Sequence, residues 1–138
     1  MKKYVYYIPY FTFVIALLAT LISLYFSEVM KLVPCVLCWY QRICMYPLIL
    51  ITAVGILKKD RAIADYVLPL SVTGLGVAIY HNLLYYGILP ESVAPCTQGI
   101  SCTTRQIEWF GFITIPLLSM LTFALITLVM IIYKRYTK

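Results

Sequence analysis

Residues 4–26, YVYYIPYFTFVIALLATLISLYF, form a run of 23 residues without a charged side chain. A bilayer core of roughly 30 Å is crossed by about 20 helical residues. Three more charge-free runs follow, at 43–57, 66–90 and 109–133. Strands cross a membrane only as closed barrels with alternating apolar and polar residues. Because these runs are continuous rather than alternating, they predict helices.

The composition agrees with a membrane protein. The chain has 138 residues, of which 63% are hydrophobic and 12% charged, whereas a soluble domain carries about 25% charged residues. This excludes intrinsic disorder and a soluble domain with a solvated polar shell. The net charge of +6 would suggest nucleic acid in a soluble protein. Here the placement of the basic residues at the ends of the spans explains the positive charge better than binding to nucleic acid does. We expect no nucleic-acid partner.

We therefore predict an all-α integral membrane protein, a single domain over residues 1–138 that forms a bundle of four transmembrane helices. The second span requires that Arg42 be tolerated within it. The first is expected to be an uncleaved helix, because the run is longer than a signal-peptide core and lacks an Ala-x-Ala site. The predicted spans and outer loops are about 5–26, 38–57, 66–86 and 109–133, and about 27–37 and 87–108.

The basic residues predict the orientation, because short cytoplasmic loops are rich in Lys and Arg. Eight of the eleven fall on one side. They are Lys2, Lys3, Lys58, Lys59, Arg61, Lys134, Arg135 and Lys138. Both termini are therefore predicted to be cytoplasmic, and the loops with most of the cysteines to face the oxidising outside.

Cys35-Val36-Leu37-Cys38 is a C-x-x-C sequence at the start of the second span. Two thiols at this spacing can close a small disulfide ring or bind a metal. Pro34 precedes the pair and favours a helix start. The free N–H groups of a helix N-terminus stabilise a thiolate, which is the nucleophile in disulfide exchange.

Cys96 and Cys102 form a second pair in a polar, turn-rich outer loop. A disulfide between them would act either as a structural staple or, beside the C-x-x-C, as the outer partner of a thiol relay. Cys44 lies inside the second span, about 180° around the helix from Cys35. We expect it to be a buried hydrophobic residue.

Two ionisable residues inside the spans are candidate functional groups. At 100° per residue, Cys38 and Arg42 lie about 300° and about 340° around the helix from Cys35, on one stripe. Arg42 either extends outward to the headgroups or faces the bundle, where it would stabilise negative charge beside Cys38. His81 is either satisfied by a backbone carbonyl, or hydrogen-bonds a ligand oxygen or transfers a proton.

The segment Pro34–Arg42, PCVLCWYQR, resembles the signature of the DsbB family, the disulfide bond formation protein B of bacterial envelopes. The outer pair of Cys96 and Cys102, the four-helix topology and the Trp109–Pro116 stretch resemble it as well. The resemblance covers nearly the whole chain and is closest to the short Gram-positive members called BdbC.

The resemblance implies a bacterial cell-membrane enzyme. It would reoxidise an extracytoplasmic thioredoxin-fold thiol oxidase, of DsbA or BdbD type, and pass the electrons to menaquinone or ubiquinone. Cys96 would accept attack by the partner's dithiol, and Cys102 would then exchange with Cys35. Cys38 would reduce the quinone as a thiolate, with Arg42 beside a quinone oxygen.

His81 matches a third-helix histidine that lies near the same site in the family, which makes it a second predicted quinone-binding residue besides Arg42. No resident metal is predicted. The disulfides expected after aerobic preparation join Cys35 to Cys38 and Cys96 to Cys102, with Cys44 free.

Three other functions are weighed against this one. An enzyme of the vitamin K epoxide reductase type also uses a membrane C-x-x-C, but there the loop pair precedes the C-x-x-C in the chain. A zinc site of four cysteines would need tighter spacing than the five residues between Cys96 and Cys102. A structural or transport subunit with cysteine staples leaves Arg42 beside Cys38 unexplained.

Overall fold

The computed structural model describes residues 2–29, 31, 36–86, 88, 108–109 and 113–137. Its helices are α1 (Lys2–Glu28), α2 (Val36–Lys58), α3 (Ile63–Tyr85) and α4 (Ile115–Thr137). Two short antiparallel strands, β1 (Glu108–Trp109) and β2 (Ile113–Thr114), precede α4. All four helices are long and apolar enough to cross a membrane. The predicted four-helix membrane fold is confirmed.

Each helix packs against two neighbours, which closes the bundle into a ring. α1 contacts α2 and α4, and α3 contacts the same two helices from the other side. The buried core is formed by one side of every helix. Its members are Ala16, Cys44, Met45, Leu48, Ile63, Ala64, Val67, Ala78, Phe123, Ile126, Met130 and Tyr133.

The outer surface of the bundle is apolar. Large side chains such as Leu57 and Tyr4 are 82% and 78% exposed. In water such a surface would aggregate. In a bilayer it faces lipid, which explains why the whole chain, and not only its core, is rich in hydrophobic residues.

α3 packs closely against α4 at Gly74. A methyl group built on Gly74 would overlap the ring of Phe123, and Phe123 is 1% exposed. Because lipid provides no hydrophobic driving force between helices, small residues that allow close van der Waals packing stabilise their association. Gly74 therefore sets the distance between these two helices.

A tight connection joins α2 to α3. Lys59 has a φ of 53°, in the left-handed region that usually takes glycine after a helix. The Asp60 N–H donates to the Gly55 carbonyl at 2.9 Å, and the Lys59 N–H donates to the Ile56 carbonyl at 3.1 Å. The Asp60 carboxylate in turn accepts the Ala62 N–H at 2.8 Å, which leads the chain directly into α3.

The start of α3 and the end of α4 lie at the same end of the bundle. Lys134 Nζ lies 2.7 Å from Asp65 Oδ1, and Gly55, near the end of α2, contacts Ile63. The basic residues around the α2–α3 connection and the end of α4 therefore cluster at one end. Their cytoplasmic location stays a prediction from the positive-inside rule.

The predicted start of the fourth span at 109 is wrong, since α4 begins at Ile115. Trp109 does not open the helix but pairs with Ile113 in the short β-ladder. A charge-free run reports apolarity, not conformation. The β-branched Ile113 and Thr114 favour an extended backbone, and Pro116 suits the first helical turn, where its missing N–H costs no hydrogen bond.

Candidate functional site

A cavity of about 210 Å³ lies between α1, α2 and α4. The apolar residues that line it are Ala19, Ile22, Phe26, Met45, Leu118 and Phe123, together with the ring of Tyr46. The polar residues that line it are Thr20, Ser23, Ser27, Cys38, Gln41, Arg42, Ser119 and Thr122. Most of the surface of the cavity is thus apolar, and a thiol, a cation and several hydroxyl groups lie in its wall.

Cys38 and Arg42 share this wall. Both are half-buried side chains of α2, and they stand one helical turn apart, as the spacing in the sequence predicted. Cys38 lies in the first turn of the helix, where unpaired backbone N–H groups favour negative charge. The Cys38 sulfur atom and the guanidinium of Arg42 therefore line the same space.

Arg42 is held by α1. Its Nε donates to Ser23 Oγ at 2.9 Å and its Nη2 to the Ser23 carbonyl at 3.0 Å. Nη2 also donates to Ser27 Oγ. The guanidinium carbon lies 5.3 Å from the centre of the Trp39 ring, within cation–π range. The side chain is therefore directed to α1 and the cavity wall, which favours the bundle-facing orientation over one that reaches outward to the headgroups.

The charge of Arg42 is met by neutral groups. Within the part of the chain that the structure describes, its acceptors are two serine hydroxyls and a carbonyl, and no carboxylate lies within ion-pair distance. A cation in an apolar span is costly unless it is paired. The site therefore favours a ligand whose oxygen carries partial or full negative charge.

A second polar group lies beside Arg42 on the inner side of the bundle. Gln41 Nε2 lies 3.1 Å from His81 Nδ1, and Ser119 Oγ donates to Gln41 Oε1 at 2.6 Å. Gln41 and His81 are buried. These bonds link α2 to α3 and α4, and the cavity wall contains Gln41 and Ser119 but not His81. His81 thus lies behind Gln41, in contact with a residue of the wall.

Comparison with known proteins identifies the family. The family model described as "Disulfide bond formation protein DsbB" matches residues 7–133. This chain belongs to the DsbB family. It is a multi-pass cell-membrane protein and a disulfide oxidoreductase, which agrees with its four membrane-spanning helices.

Curated relatives carry the same description. "Disulfide bond formation protein C" of Bacillus subtilis (strain 168) is 45% identical over 125 residues, which cover 91% of each chain. "Probable disulfide formation protein" of Metapseudomonas resinovorans is 41% identical over 127 residues, 91% of this chain and 88% of the relative. "Probable disulfide formation protein C" of Halalkalibacterium halodurans is 46% identical over 111 residues, 80% and 81% of the two chains. No solved structure matches this chain.

Of the five cysteines of this DsbB-family protein, two lie among the described residues and three do not. Cys38 lines the cavity, and Cys44 is 7% exposed in the core, so the prediction that Cys44 is a buried hydrophobic residue is confirmed. Cys35, Cys96 and Cys102 lie outside the described residues. Their roles, and the disulfides predicted for them, stay predictions.

Sequence reasoning missed several polar residues of this site, among them Gln41, Ser23, Ser27 and Ser119. Gln41 stands inside the PCVLCWYQR run and is one of few amides in the spans. The presence of an amide in an apolar helix is a signal that the sequence alone provides. Ser23 and Ser119 gave none, because serines are common in membrane helices. Only the rotation of α1 and α4 about their axes brings them to α2.

Proposed function

We propose that this DsbB-family protein reoxidises an extracytoplasmic thioredoxin-fold thiol oxidase and passes the electrons to a membrane quinone in the cavity beside Cys38. The observation that carries the proposal is the shared wall of Cys38 and Arg42. A thiol that exchanges electrons and a cation without a carboxylate partner among the described residues line one apolar space within the membrane span.

The cavity residues fit a quinone ring. Such a ring is flat and apolar, with carbonyl oxygens that accept hydrogen bonds. Phe26, Met45 and Leu118 offer apolar walls. Thr20 adds a buried hydroxyl whose oxygen has no hydrogen-bond partner among the described residues. When bound, a quinone supplies an acceptor for two electrons and two protons, which is what the oxidation of a dithiol to a disulfide releases.

The protein's own groups prepare the site for negative charge. The first turn of α2 favours a thiolate at Cys38, and Arg42 favours negative charge on a neighbouring oxygen. Because Ser23 and Ser27 already hold the guanidinium, little reorganisation is needed when that charge develops. We place His81 behind Gln41 as seen from the cavity, so that it acts on the cavity through Gln41.

The remaining steps begin outside the membrane span and end at Cys38. In our proposal the thiolate of the reduced partner attacks a disulfide of Cys96 and Cys102, and the resulting dithiol is oxidised by the pair Cys35 and Cys38. The loops that carry these cysteines face the outside of the cell, where disulfides persist.

Quinol formation tests the proposal. Purified protein in detergent receives a reduced thioredoxin-fold dithiol protein and either menaquinone or ubiquinone analogue, and quinol is followed by absorbance. We expect Cys38→Ser to abolish quinol formation and Cys44→Ala to retain most of it, since Cys44 lies in the core. Absence of quinol in the wild type with every dithiol donor, or full turnover in Cys38→Ser, would refute the proposal.

A further inference from the structure

Trp39 covers one face of the Arg42 guanidinium. The centre of its ring lies 5.3 Å from the guanidinium carbon, within the range of a cation–π contact. Cys38 and Trp39 precede Arg42 by four and three residues, so they lie about 40° to one side of it and about 60° to the other around α2. Because helical side chains lean toward the N-terminus of their helix, the Arg42 side chain passes between these two residues.

The two residues that flank Arg42 have different surroundings. Cys38 lines the cavity between α1, α2 and α4, as Arg42 does. Trp39 is not part of the cavity wall, and it is 51% exposed. The indole ring therefore lies on the side of the guanidinium that is turned away from the cavity, toward the outer surface of the bundle.

The position of Trp39 matters because Arg42 has a second direction open to it. An arginine near the end of a membrane helix can extend along its own helix until its charge reaches the headgroups. Arg42 lies six residues after Val36, where α2 begins, which is about 9 Å along the helix axis. Trp39 stands between Arg42 and that end of the helix.

The hydrogen bonds from α1 hold the guanidinium by its edge only. Nε and Nη2 donate to Ser23 and to the Ser27 hydroxyl, and these bonds lie near the plane of the group. Contact with an aromatic ring adds a restraint on the face of that plane. Since the ring carries no negative charge, it attracts the cation without neutralising it. The full positive charge stays available to the cavity.

We propose that Trp39 is a positioning residue that holds Arg42 at the cavity wall and thereby strengthens the binding of the quinone. The inference rests on the proposed quinone site. Trp39 acts through Arg42, because its own ring is not part of the cavity wall. The alternative is a tryptophan that only anchors the helix at the membrane interface. Such an anchor would act independently of Arg42.

A double-mutant cycle separates these two roles. Binding of dimethylnaphthoquinone, a ring without a tail that does not alkylate thiols, to the oxidised protein in detergent is measured by calorimetry. Trp39→Leu removes the aromatic face but keeps a large apolar side chain. We expect it to raise the Kd about fivefold, within the range of one cation–π contact. In an Arg42→Ala background the same change should leave the Kd unaltered.

Two further variants define the contribution of the ring. Trp39→Phe keeps an aromatic face and should recover part of the affinity that Trp39→Leu loses. Ile43→Ala is the control, because it removes a large side chain that is 62% exposed and adjacent to Arg42 in the chain. It should leave the Kd unchanged. A wild-type Kd in Trp39→Leu, or the same increase with and without Arg42, would overturn the inference.

A measurement without ligand distinguishes failure of this inference from failure of the proposed function. The chain has two tryptophans, so in a Trp109→Phe background the fluorescence reports Trp39 alone. We expect Arg42→Ala to shift the emission maximum, because it removes a charge from the face of the ring. Arg135→Ala, in the last turn of α4, should not shift it.

The two measurements together decide every case. An emission maximum that is the same with and without Arg42 overturns the inference. Binding of the ring to the wild type with no effect of Trp39→Leu refutes the inference and leaves the proposed function intact. If the wild type does not bind the ring, the proposed function fails, and the emission alone decides whether Trp39 holds Arg42.

Discussion

Arg42 Nε lies 2.9 Å from the hydroxyl oxygen of Ser23, so that α1 fixes the guanidinium of α2 at the cavity wall. The neighbouring bond to Ser27 adds a second hydroxyl from the same helix. Pairing by hydroxyl groups rather than by a carboxylate leaves the positive charge available to a ligand. In an apolar cavity, such a charge attracts a polarised oxygen far more strongly than it would in water.

Removal of the cation should weaken use of the quinone. We expect Arg42→Ala to raise the KM for quinone by about tenfold or more, since hydrogen bonds to a charged group contribute about 1.5–3 kcal/mol. The KM for the thioredoxin-fold partner should not change, because in our proposal that partner reacts outside the membrane. Steady-state kinetics with each substrate varied in turn separates the two effects.

Two further arginine variants serve as controls for that experiment. Arg42→Lys should recover only part of the activity, because lysine lacks the planar fork that reaches two serines. Arg135→Ala removes an exposed arginine at the far end of α4 and should leave both KM values unchanged. An increase confined to the KM for the protein partner would place Arg42 in partner binding instead.

The cysteines of the resting enzyme should differ in oxidation state, four in disulfides and one as a free thiol. The chain has five cysteines, and we expect two disulfides, Cys35–Cys38 and Cys96–Cys102. Cys44, which is 7% exposed, should resist alkylation in the folded protein and react after unfolding without reductant. Mass spectrometry that finds four or five free thiols in aerobically prepared protein would contradict this pattern.

Two glycines of α3 should respond oppositely to the same substitution. Gly74→Ala places a methyl group against the Phe123 ring, and overpacking of this kind costs about 1–3 kcal/mol, so the thermal midpoint in detergent should fall. A methyl on Gly76 meets nothing within 4 Å, and alanine favours a helix by about 1 kcal/mol over glycine. Gly76→Ala should therefore hold or raise the midpoint, and equal losses in both variants would argue against the α3–α4 packing.

The α2–α3 connection offers a stabilising change. Lys59 has a φ of 53°, a conformation that costs a residue with a Cβ about 1 kcal/mol relative to glycine. Lys59→Gly should raise the thermal midpoint in detergent by a few degrees. Lys58→Gly, one residue earlier and still helical, should lower it. A loss of stability in Lys59→Gly would rule out the left-handed helix end.

The large features of this protein could be predicted because membrane helices are recognisable one at a time. Residues 4–26 predicted α1 from length and lack of charge alone. The stripe of Cys38 and Arg42 followed from the 3.6-residue period of a single helix. The error at Trp109 has the same origin, because a strand and a helix in an apolar segment contain equally few charges.

Relations between helices could not be predicted in this way. The bond from Ser119 to Gln41 joins residues 78 positions apart, and it depends on how α2 and α4 are rotated about their axes. The position of His81 behind Gln41 depends on α3 in the same manner. Hydropathy determines that a helix crosses the membrane but is insensitive to such rotations.

Photoaffinity labelling tests most directly the central claim, which is that the quinone ring binds between α1, α2 and α4. The protein in proteoliposomes is irradiated with a menaquinone analogue that carries an azide on its ring, and labelled peptides are identified by mass spectrometry. We predict labels on cavity residues such as Phe26 and Leu118, decreased by excess menaquinone and by Arg42→Ala. Labels confined to lipid-facing side chains such as Leu50 and Leu57, which are 69% and 82% exposed, and insensitive to competition, would contradict the claim.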